Sequence, residues 1–275
     1  NIKDILDKKK YTNINFGNYN FRSKNISYVD EFIKLIKGNK FDLIEIHNRP
    51  SYVHYLVKKN ISSKLVLIFH NNPLALGGSK TADERNQLLE KCETLVFVSN
   101  WVMEKFFDGL DRKSNTKCIV IYPSIKPINK FPNKKKIISF VGKLNRSKGF
   151  HLFGNVIVKI LNKYKNWSGI IVGDEPREKY NFKHKNLKYM GWISHEKTLN
   201  LYSQTSISVA PSFWDEPFGR TSMEAASRGC ATIISKKGGL IETVPNAVYL
   251  STLDSKSLFN SIERLIKNRK KRLIL

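Results

Sequence analysis

Short apolar runs alternate with longer segments of mixed polarity along most of this 275-residue chain. Each run has the length of one strand, and most are apolar at successive positions, which is typical of strands buried on both faces of a parallel sheet. In the first half, the pattern predicts strands at residues 41–46, 64–69, 95–98 and 118–122, and helices at 51–59, 81–91 and 101–107. In the second half, it predicts strands at 137–141, 168–172, 187–190, 207–210 and 231–234, and helices at 148–163, 194–203, 217–228 and 254–268. The alternation therefore predicts an α/β fold.

A segment rich in proline and lysine, YPSIKPINKFPNKKK, interrupts this alternation at residues 122–136. It contains three prolines and shows no periodicity, which is typical of a linker between domains. We therefore predict an N-terminal domain at residues 1–124 and a C-terminal domain at residues 125–275.

The first candidate site is the segment FVGKLNRSKG at residues 140–149, where a predicted strand runs through a loop into a helix. Gly142 allows the backbone to approach a ligand, the helix start offers free N–H groups, and Lys143 and Lys148 supply positive charge. This combination suits a diphosphate. The alternative is an ordinary strand–helix turn with solvated lysines.

The second candidate site is the segment WDEPFGRTSMEAA at residues 214–226. Pro217 suits the first position of the helix that follows. Glu216 then lies in the loop before the helix and Glu224 projects from it, so both carboxylates can accept sugar or ribose hydroxyls. The groups predicted to meet phosphate are the amides of Phe218 and Gly219 and the side chain of Arg220. The alternative is a capped surface helix with solvated acidic residues.

The stretch EPFGRTSMEA resembles the signature of the retaining glycosyltransferases of family four. That family has the GT-B architecture, in which two Rossmann-like domains face each other across a cleft. Further segments resemble the family in the expected order: IHNRP, FHNNP and FVSN in the first half, then FVGKLNRSKG, IIVGD, YMGWIS, SVAPS and GGLIE. The resemblance covers most of the chain from about residue 41 onwards.

The resemblance implies a role for each matching residue. Glu216 and His70 would act at the reacting centre, with Glu216 on the donor-sugar hydroxyls, and His47 would line the cleft. The donor-binding residues would be Gly142, Lys143, Lys148, Met190, Gly191, Trp192, Phe218, Gly219, Arg220 and Glu224. Among them, Glu224 would hold the ribose, and the loop that contains Met190, Gly191 and Trp192 would hold the nucleotide base. The alternative for either histidine is a hydrogen-bonded residue at a strand end.

The family usually begins with a strand and a glycine-rich loop, and it usually ends with a helix that crosses back to the first domain. Nothing before residue 41 matches that opening, and the chain stops soon after the last predicted helix. We therefore expect a GT-B chain that is shortened at both ends, and we expect it to bind nucleotide but to transfer sugar poorly.

The implied activity is transfer of a sugar from a nucleoside diphosphate sugar, such as a UDP- or GDP-sugar, to an acceptor hydroxyl with retention of configuration. The chain contains no Asp-x-Asp motif, so no metal and no other cofactor is expected. HNRP and EPFGRTS resemble transferases that build lipopolysaccharide or other surface glycans, which predicts a glycan or glycolipid acceptor. The alternatives are another GT-B enzyme (an epimerase or a phosphorylase) or a basic nucleic-acid-binding protein.

The formal net charge of +25 favours anionic partners, although lysines spread over solvated faces would also produce it. The basic run at residues 264–272 indicates either peripheral contact with an anionic membrane or a solvated helix end. No nucleic-acid-binding signature is present, so no specific nucleic-acid partner is expected. Three widely spaced cysteines and the lack of a long apolar run favour the cytoplasm, at most peripheral to the inner face of the membrane.

Overall fold

A computed structural model describes residues 24–39, 41–110, 117–126, 128 and 132–274. The chain forms two compact units. Unit 1 comprises Asn1–Val96 and Lys105–Ile119, and unit 2 comprises Phe97–Glu104 and Val120–Leu275. Parallel sheets and helices alternate along the chain, which confirms the predicted α/β class.

The first half of the chain forms a four-stranded sheet with the strand order β1-β2-β3-β4. Strands β1 and β2 are parallel, with Leu43 opposite Lys64 and His47 opposite Ile68. The elements are α1 (Lys24–Ile36), β1 (Leu43–His47), α2 (Pro50–Lys58), β2 (Lys64–Phe69), α3 (Ala82–Lys91), β3 (Thr94–Phe97), α4 (Asn100–Phe107) and β4 (Cys118–Val120). Helix α1 was not predicted.

Unit 2 contains a six-stranded sheet with the order β10-β9-β8-β5-β6-β7, in which neighbouring strands are parallel. Its elements are β5 (Lys135–Val141), α5 (Phe150–Lys163), β6 (Ser168–Val172), β7 (Leu187–Tyr189), α6 (His195–Gln204), β8 (Thr205–Ala210), α7 (Arg220–Ser227), β9 (Ala231–Ile234), β10 (Val248–Tyr249), α8 (Ser255–Lys267) and α9 (Arg269–Ile274). The order is that of a Rossmann fold, with its switch point between β5 and β8. Ligands of such sheets bind beyond the carboxyl ends of the strands at the switch point.

The core of unit 2 lies between the sheet and helices α5 and α8. Most of its side chains are aliphatic, and an aromatic group lies among them: Phe140 of β5 packs against Phe150 and Phe153 of α5 at centroid distances of 5.2 and 5.4 Å. Leu258, Ile262 and Leu265 bury the apolar face of α8 against the same cluster. Each such side chain contributes about 1.5–3 kcal/mol on burial. This core holds the β5 and β8 ends in place.

Two predicted helix starts are wrong. Helix α5 begins at Phe150 rather than residue 148, because Gly149 at its N-cap adopts a left-handed φ of 73°. An added Cβ there would lie 2.0 Å from the carbonyl oxygen of Pro211. Helix α7 begins at Arg220 rather than Pro217, because its N-cap residue Gly219 is also left-handed, with φ at 103°.

The basic run is divided between two helices: Arg264 and Lys267 lie on α8, whereas the cations from residue 269 onwards lie on α9. Asn268 lies between the two helices as the C-cap of α8. The Arg272 guanidinium donates to the carbonyl oxygens of Leu265 and Ile266 and lies 5.4 Å from the centroid of the Trp167 ring. One cation of the run is therefore turned onto the protein.

None of the helices in the described part of the chain has the length and apolar character needed to cross a membrane.

Candidate active site

The loop after β5 is folded by the side chain of Asn145, which is buried. Its Oδ1 accepts hydrogen bonds from the Ser147 hydroxyl at 2.9 Å and from the Lys148 backbone N–H at 3.0 Å. Gly142, at the start of the loop, donates its N–H to the Val172 carbonyl at 3.0 Å. The loop thus leads from the end of β5 to a defined position for Lys148.

A second loop, which follows β6, supports this one through two carboxylates. Glu178 accepts from the Arg146 N–H at 2.9 Å, and Glu175 accepts from the Asn145 amide at 3.4 Å. Arg177 binds Glu175 through two nitrogens at 2.7 and 2.8 Å, and this guanidinium lowers the pKa of Glu175 to about 2. Sequence reasoning did not single out these supporting residues.

Lys148 and Glu216 form an ion pair at the candidate site. The Lys148 ammonium lies 2.6 Å from Oε1 and 2.7 Å from Oε2 of Glu216. The Ser212 hydroxyl, which follows β8, donates to the same Oε1 at 2.9 Å. Glu216 is 9% exposed, so its charge is held by these contacts more than by water.

Contacts from distant segments fix the backbone of Glu216 and Pro217. The Gly239 N–H donates to the Glu216 carbonyl at 2.6 Å, and the Ser99 hydroxyl donates to the Pro217 carbonyl at 2.5 Å. An added Cβ at Gly239 would lie 2.3 Å from the Pro217 oxygen, so only glycine fits there without displacement. These contacts explain why Pro217 is not the first residue of α7.

The start of helix α4 is capped by Glu242, from a different part of unit 2. The Glu242 carboxylate accepts from the backbone N–H groups of Asn100 and Trp101, both at 2.8 Å. It also accepts from the Tyr122 hydroxyl at 2.9 Å. Because Ser99 directly precedes α4, this cap also holds the hydroxyl that binds the Pro217 carbonyl.

A cavity of about 220 Å³ lies at the carboxyl ends of β5 and β8. It brings together members of both candidate motifs and their neighbours: Phe140, Val141, Gly142, Lys148, Ala210, Ser212, Glu216, Gly219, Arg220, Thr221 and Leu240. The position agrees with the rule for ligand crevices in sheets of this order. A cation, a carboxylate and a glycine backbone thus share one crevice.

Glu224 lies on α7, and its side chain is 7% exposed. Its Oε1 is contacted by Arg220 Nη2 at 3.4 Å and by His195 Nε2 at 3.1 Å. Sequence reasoning did not single out His195, because nothing local connects it to a residue 29 positions later.

The loop predicted to hold the base is tied to the sheet by its backbone. The Met190 N–H donates to the Ile171 carbonyl at 2.9 Å, and the Gly191 carbonyl accepts from Gly173 at 2.9 Å. The Trp192 side chain is 79% exposed, a rare value for an indole. The loop therefore combines an exposed aromatic ring with a backbone held by hydrogen bonds to the sheet.

Six predicted donor residues do not line this cavity: Lys143, Met190, Gly191, Trp192, Phe218 and Glu224. Lys143 is exposed and does not line the cavity. Phe218 is buried, and its ring lies 5.8 Å from that of Tyr122, so only its backbone is placed to meet a ligand.

His47 and His70 form a pair in unit 1, at the ends of β1 and β2. His47 Nδ1 and His70 Nε2 are 2.9 Å apart, and the rings are stacked with centroids 5.2 Å apart. Burial, and then the neighbouring His47, lower the pKa of His70. Asn48 holds the turn after β1 in a left-handed conformation and accepts from the His70 N–H at 3.2 Å. Because the pKa of His70 is lowered, its neutral form is favoured.

Within the described ranges, no group of three or more His, Cys, Asp or Glu side chains is arranged to hold a metal ion. The cations near the two glutamates belong to Lys148, Arg220 and, when protonated, His195.

Comparison with known proteins adds a family and a fold. The family model described as glycosyl transferases group 1 matches residues 122–275. The uncharacterized glycosyltransferase MJ1607 of Methanocaldococcus jannaschii is 23% identical over an alignment of 312 positions, gaps included, which covers 95% of this chain and 78% of that protein. This chain spans 66–78% of the length of three relatives that it matches over most of its own length.

Two solved structures show the same fold. HepE (Alr3699) of Anabaena, in complex with UDP-glucose, is similar with a TM-score of 0.71 at 18% identity, over 89% of this chain and 74% of that chain. A glycosyltransferase of Rickettsia africae ESF-5 has a TM-score of 0.75 at 20% identity, over 99% of this chain and 80% of that chain. These similarities confirm the GT-B fold that the motifs implied.

Proposed function

The chain belongs to the glycosyl transferases group 1, and on that basis we propose that it transfers a sugar from a nucleoside diphosphate sugar to an acceptor hydroxyl with retention of configuration. The observation that carries the proposal is the cavity in which Lys148, Glu216 and Arg220 meet the glycine backbone of Gly142 and Gly219. A diphosphate needs cations and close backbone approach, and a sugar needs a carboxylate to accept its hydroxyls.

The predicted site residues then have the following roles. Lys148, together with the exposed Lys143, binds the diphosphate. Glu216 accepts donor-sugar hydroxyls. Because Ser212 donates to Oε1 of Glu216, Oε2 has fewer hydrogen bonds within the described part of the protein. Arg220 and the amides at the start of α7 meet negative charge, which a helix N-terminus favours. Glu224 accepts ribose hydroxyls, and the loop with Met190, Gly191 and Trp192 holds the base.

In the proposed reaction, the bond between the anomeric carbon and the diphosphate oxygen breaks, and its electron pair leaves with the diphosphate. The acceptor oxygen bonds to the same face of the anomeric carbon, and its proton passes to the leaving oxygen. Negative charge therefore grows on the diphosphate in the transition state. Lys148 and Arg220 stabilise that charge from fixed positions, which is where electrostatic catalysis is most effective.

We propose a UDP- or GDP-sugar as the donor, since the similar Anabaena protein is described in complex with UDP-glucose. We propose that no metal takes part, because the sequence lacks an Asp-x-Asp motif and the protein's own cations meet the cavity. An excess of EDTA should then leave donor binding and transfer unchanged. Activity that disappears with EDTA and returns with manganese would overturn this part of the proposal.

We propose a glycan or glycolipid as the acceptor, in the synthesis of lipopolysaccharide or another surface glycan, on the resemblance of HNRP and EPFGRTS to transferases of that kind. Peripheral contact with an anionic membrane through the basic residues of α8 and α9 fits such an acceptor. Arg264, Lys267, Arg269 and Lys270 are exposed there, whereas Arg272 is turned onto Trp167. These four cations are exposed and can meet lipid phosphates, and Lys267 also pairs with Glu263 at 3.4 Å.

The deciding experiment is a thermal-shift screen of nucleoside diphosphates and their sugars, followed by transfer assays with the donors that bind. A ligand that binds the folded chain raises its apparent stability by mass action. Stabilisation by a nucleotide sugar, followed by transfer to an acceptor, is the expected result. Isomerisation of the donor without acceptor would indicate an epimerase, and a requirement for free phosphate would indicate a phosphorylase. Binding only to oligonucleotides, with a steep salt dependence, would replace the proposal altogether.

A further inference from the structure

His195 lies where two parts of the candidate nucleotide site meet. It is the first residue of α6, directly after the loop that contains Met190, Gly191 and Trp192. Ser194 fixes the start of that helix, because its hydroxyl accepts the N–H of Lys197 at 3.3 Å. The position of the His195 ring thus follows from a capped helix start, and the ring reaches Glu224 on α7.

The contact with Glu224 is one-sided. Both His195 and Arg220 contact Oε1 of Glu224, at 3.1 and 3.4 Å. In the part of the chain that the structure describes, Oε2 of Glu224 has no hydrogen-bond partner. One carboxylate oxygen is therefore anchored by protein groups, while the other remains open to accept a hydroxyl.

The two ends of the contact differ in burial. The Glu224 side chain is 7% exposed, whereas that of His195 is 56% exposed. A buried carboxylate that must accept ligand hydroxyls needs a fixed orientation, because rotating the carboxylate would break its hydrogen bonds to those hydroxyls. A donor N–H at 3.1 Å supplies this orientation.

We infer that His195 is a positioning residue for nucleotide binding: it orients Glu224 toward the ribose and joins the base-holding loop to the ribose-binding helix. This inference rests on the proposed function. His195 acts through Glu224, so its effect depends on the ribose hydroxyls that Glu224 accepts.

The test compares UDP with 2′,3′-dideoxy-UDP by calorimetry, using wild type, His195→Ala, His195→Gln and Glu224→Ala. GDP and ADP with their dideoxy forms replace the uridine pair if wild type binds them more tightly. We expect His195→Ala to weaken binding of the ribonucleotide by about fivefold to twentyfold, which corresponds to one hydrogen bond. The dideoxy nucleotide should bind wild type and His195→Ala equally, and the amide of His195→Gln should restore part of the ribonucleotide affinity.

Asn200→Ala provides the matched control, since Asn200 is an exposed residue of the same helix. It should leave both affinities unchanged, and the thermal midpoints of all variants show that they are folded. Equal losses for the ribo- and dideoxynucleotide in His195→Ala would overturn the inference, and so would no loss for either. If wild type binds no nucleoside diphosphate, the proposed function itself fails. If Glu224→Ala weakens the ribonucleotide and His195→Ala does not, only the inference about His195 fails.

Discussion

The ammonium of Lys148 bridges both carboxylate oxygens of Glu216, at 2.6 and 2.7 Å, although 68 positions separate the two residues in the chain. The contact joins the loop after β5 to the loop before α7. It thus brings the group proposed to bind diphosphate next to the group proposed to bind the donor sugar. A donor that spans both groups would meet two charges that are already paired and oriented.

Lys148→Ala should weaken the binding of a nucleoside diphosphate by about 1.5–3 kcal/mol, the usual cost of losing a hydrogen bond to a charged group. Calorimetric titration of the tightest-binding nucleoside diphosphate measures the effect. Lys159→Ala is the matched control, because Lys159 is an exposed lysine on helix α5, which follows the same loop. Equal affinities in wild type and Lys148→Ala would argue against the diphosphate assignment.

Substitution of Glu224 and substitution of Glu216 should have different effects on the affinity for free nucleotide. Glu224→Ala should reduce affinity for both nucleotide and nucleotide sugar, because the ribose is common to both. Glu216→Ala should leave the affinity for free nucleotide nearly unchanged and lower the rate of sugar transfer, because this carboxylate lies beside the sugar. Titrations with UDP and UDP-glucose, alongside a transfer assay, test the division. Similar losses of free-nucleotide affinity in both variants would contradict it.

Glu242→Ala should lower the free energy of unfolding by about 1–3 kcal/mol, because it removes the acceptor of two backbone N–H groups at the start of α4. It should also slow transfer, since Ser99, which binds the Pro217 carbonyl, directly precedes that helix start. Urea denaturation gives the stability. The control is Glu93→Ala, which removes only the exposed ion pair with Lys64 at 3.1 Å and should cost less than about 1 kcal/mol. A loss no larger than that of the control would show that the cap is unimportant.

Glu263 should make the chain sensitive to acid. Hydrogen bonds from Lys163, the last residue of α5, and from Tyr164, its C-cap, lower the pKa of Glu263 on α8 from 4.5 to about 2. A carboxyl whose pKa is lower in the folded chain stabilises the fold above its unfolded pKa. This stabilisation is lost as the pH falls from about 4.5 toward 2. Stability should therefore decline over this window in wild type and decline less steeply in Glu263→Gln.

Denaturant unfolding at a series of pH values from about 7 to about 3 tests this dependence. Glu90→Gln, at an exposed position of α3, serves as the control and should follow the wild-type curve. Parallel curves for wild type and Glu263→Gln would show that the contact between α5 and α8 does not carry the acid sensitivity.

From β1 to α8, the order of the strands and helices, except for the short strand β10, was determined by the sequence alone, because burial on both faces of a strand requires an apolar run and this requirement is local. Strands at residues 64–69, 168–172 and 231–234 were predicted with the bounds that the structure has. The N-caps Ser194 and Asp254 were also predicted, since a capping side chain bonds to a backbone N–H only three positions away. The strand β10 and helix α9 were not predicted, because segments of two and six residues are too short to show a clear pattern.

Only the tertiary structure decided which side chains meet. Helix α7 begins at Arg220 after the left-handed Gly219, and the loop before it is held by Gly239 and Ser99, which are remote in sequence and bind the carbonyl oxygens of Glu216 and Pro217. Likewise, nothing near His195 indicates that it reaches Glu224. Hydrogen bonds and ion pairs act over about 3–4 Å in space. A sequence records only distance along the chain, so contacts between separate elements are decided by packing.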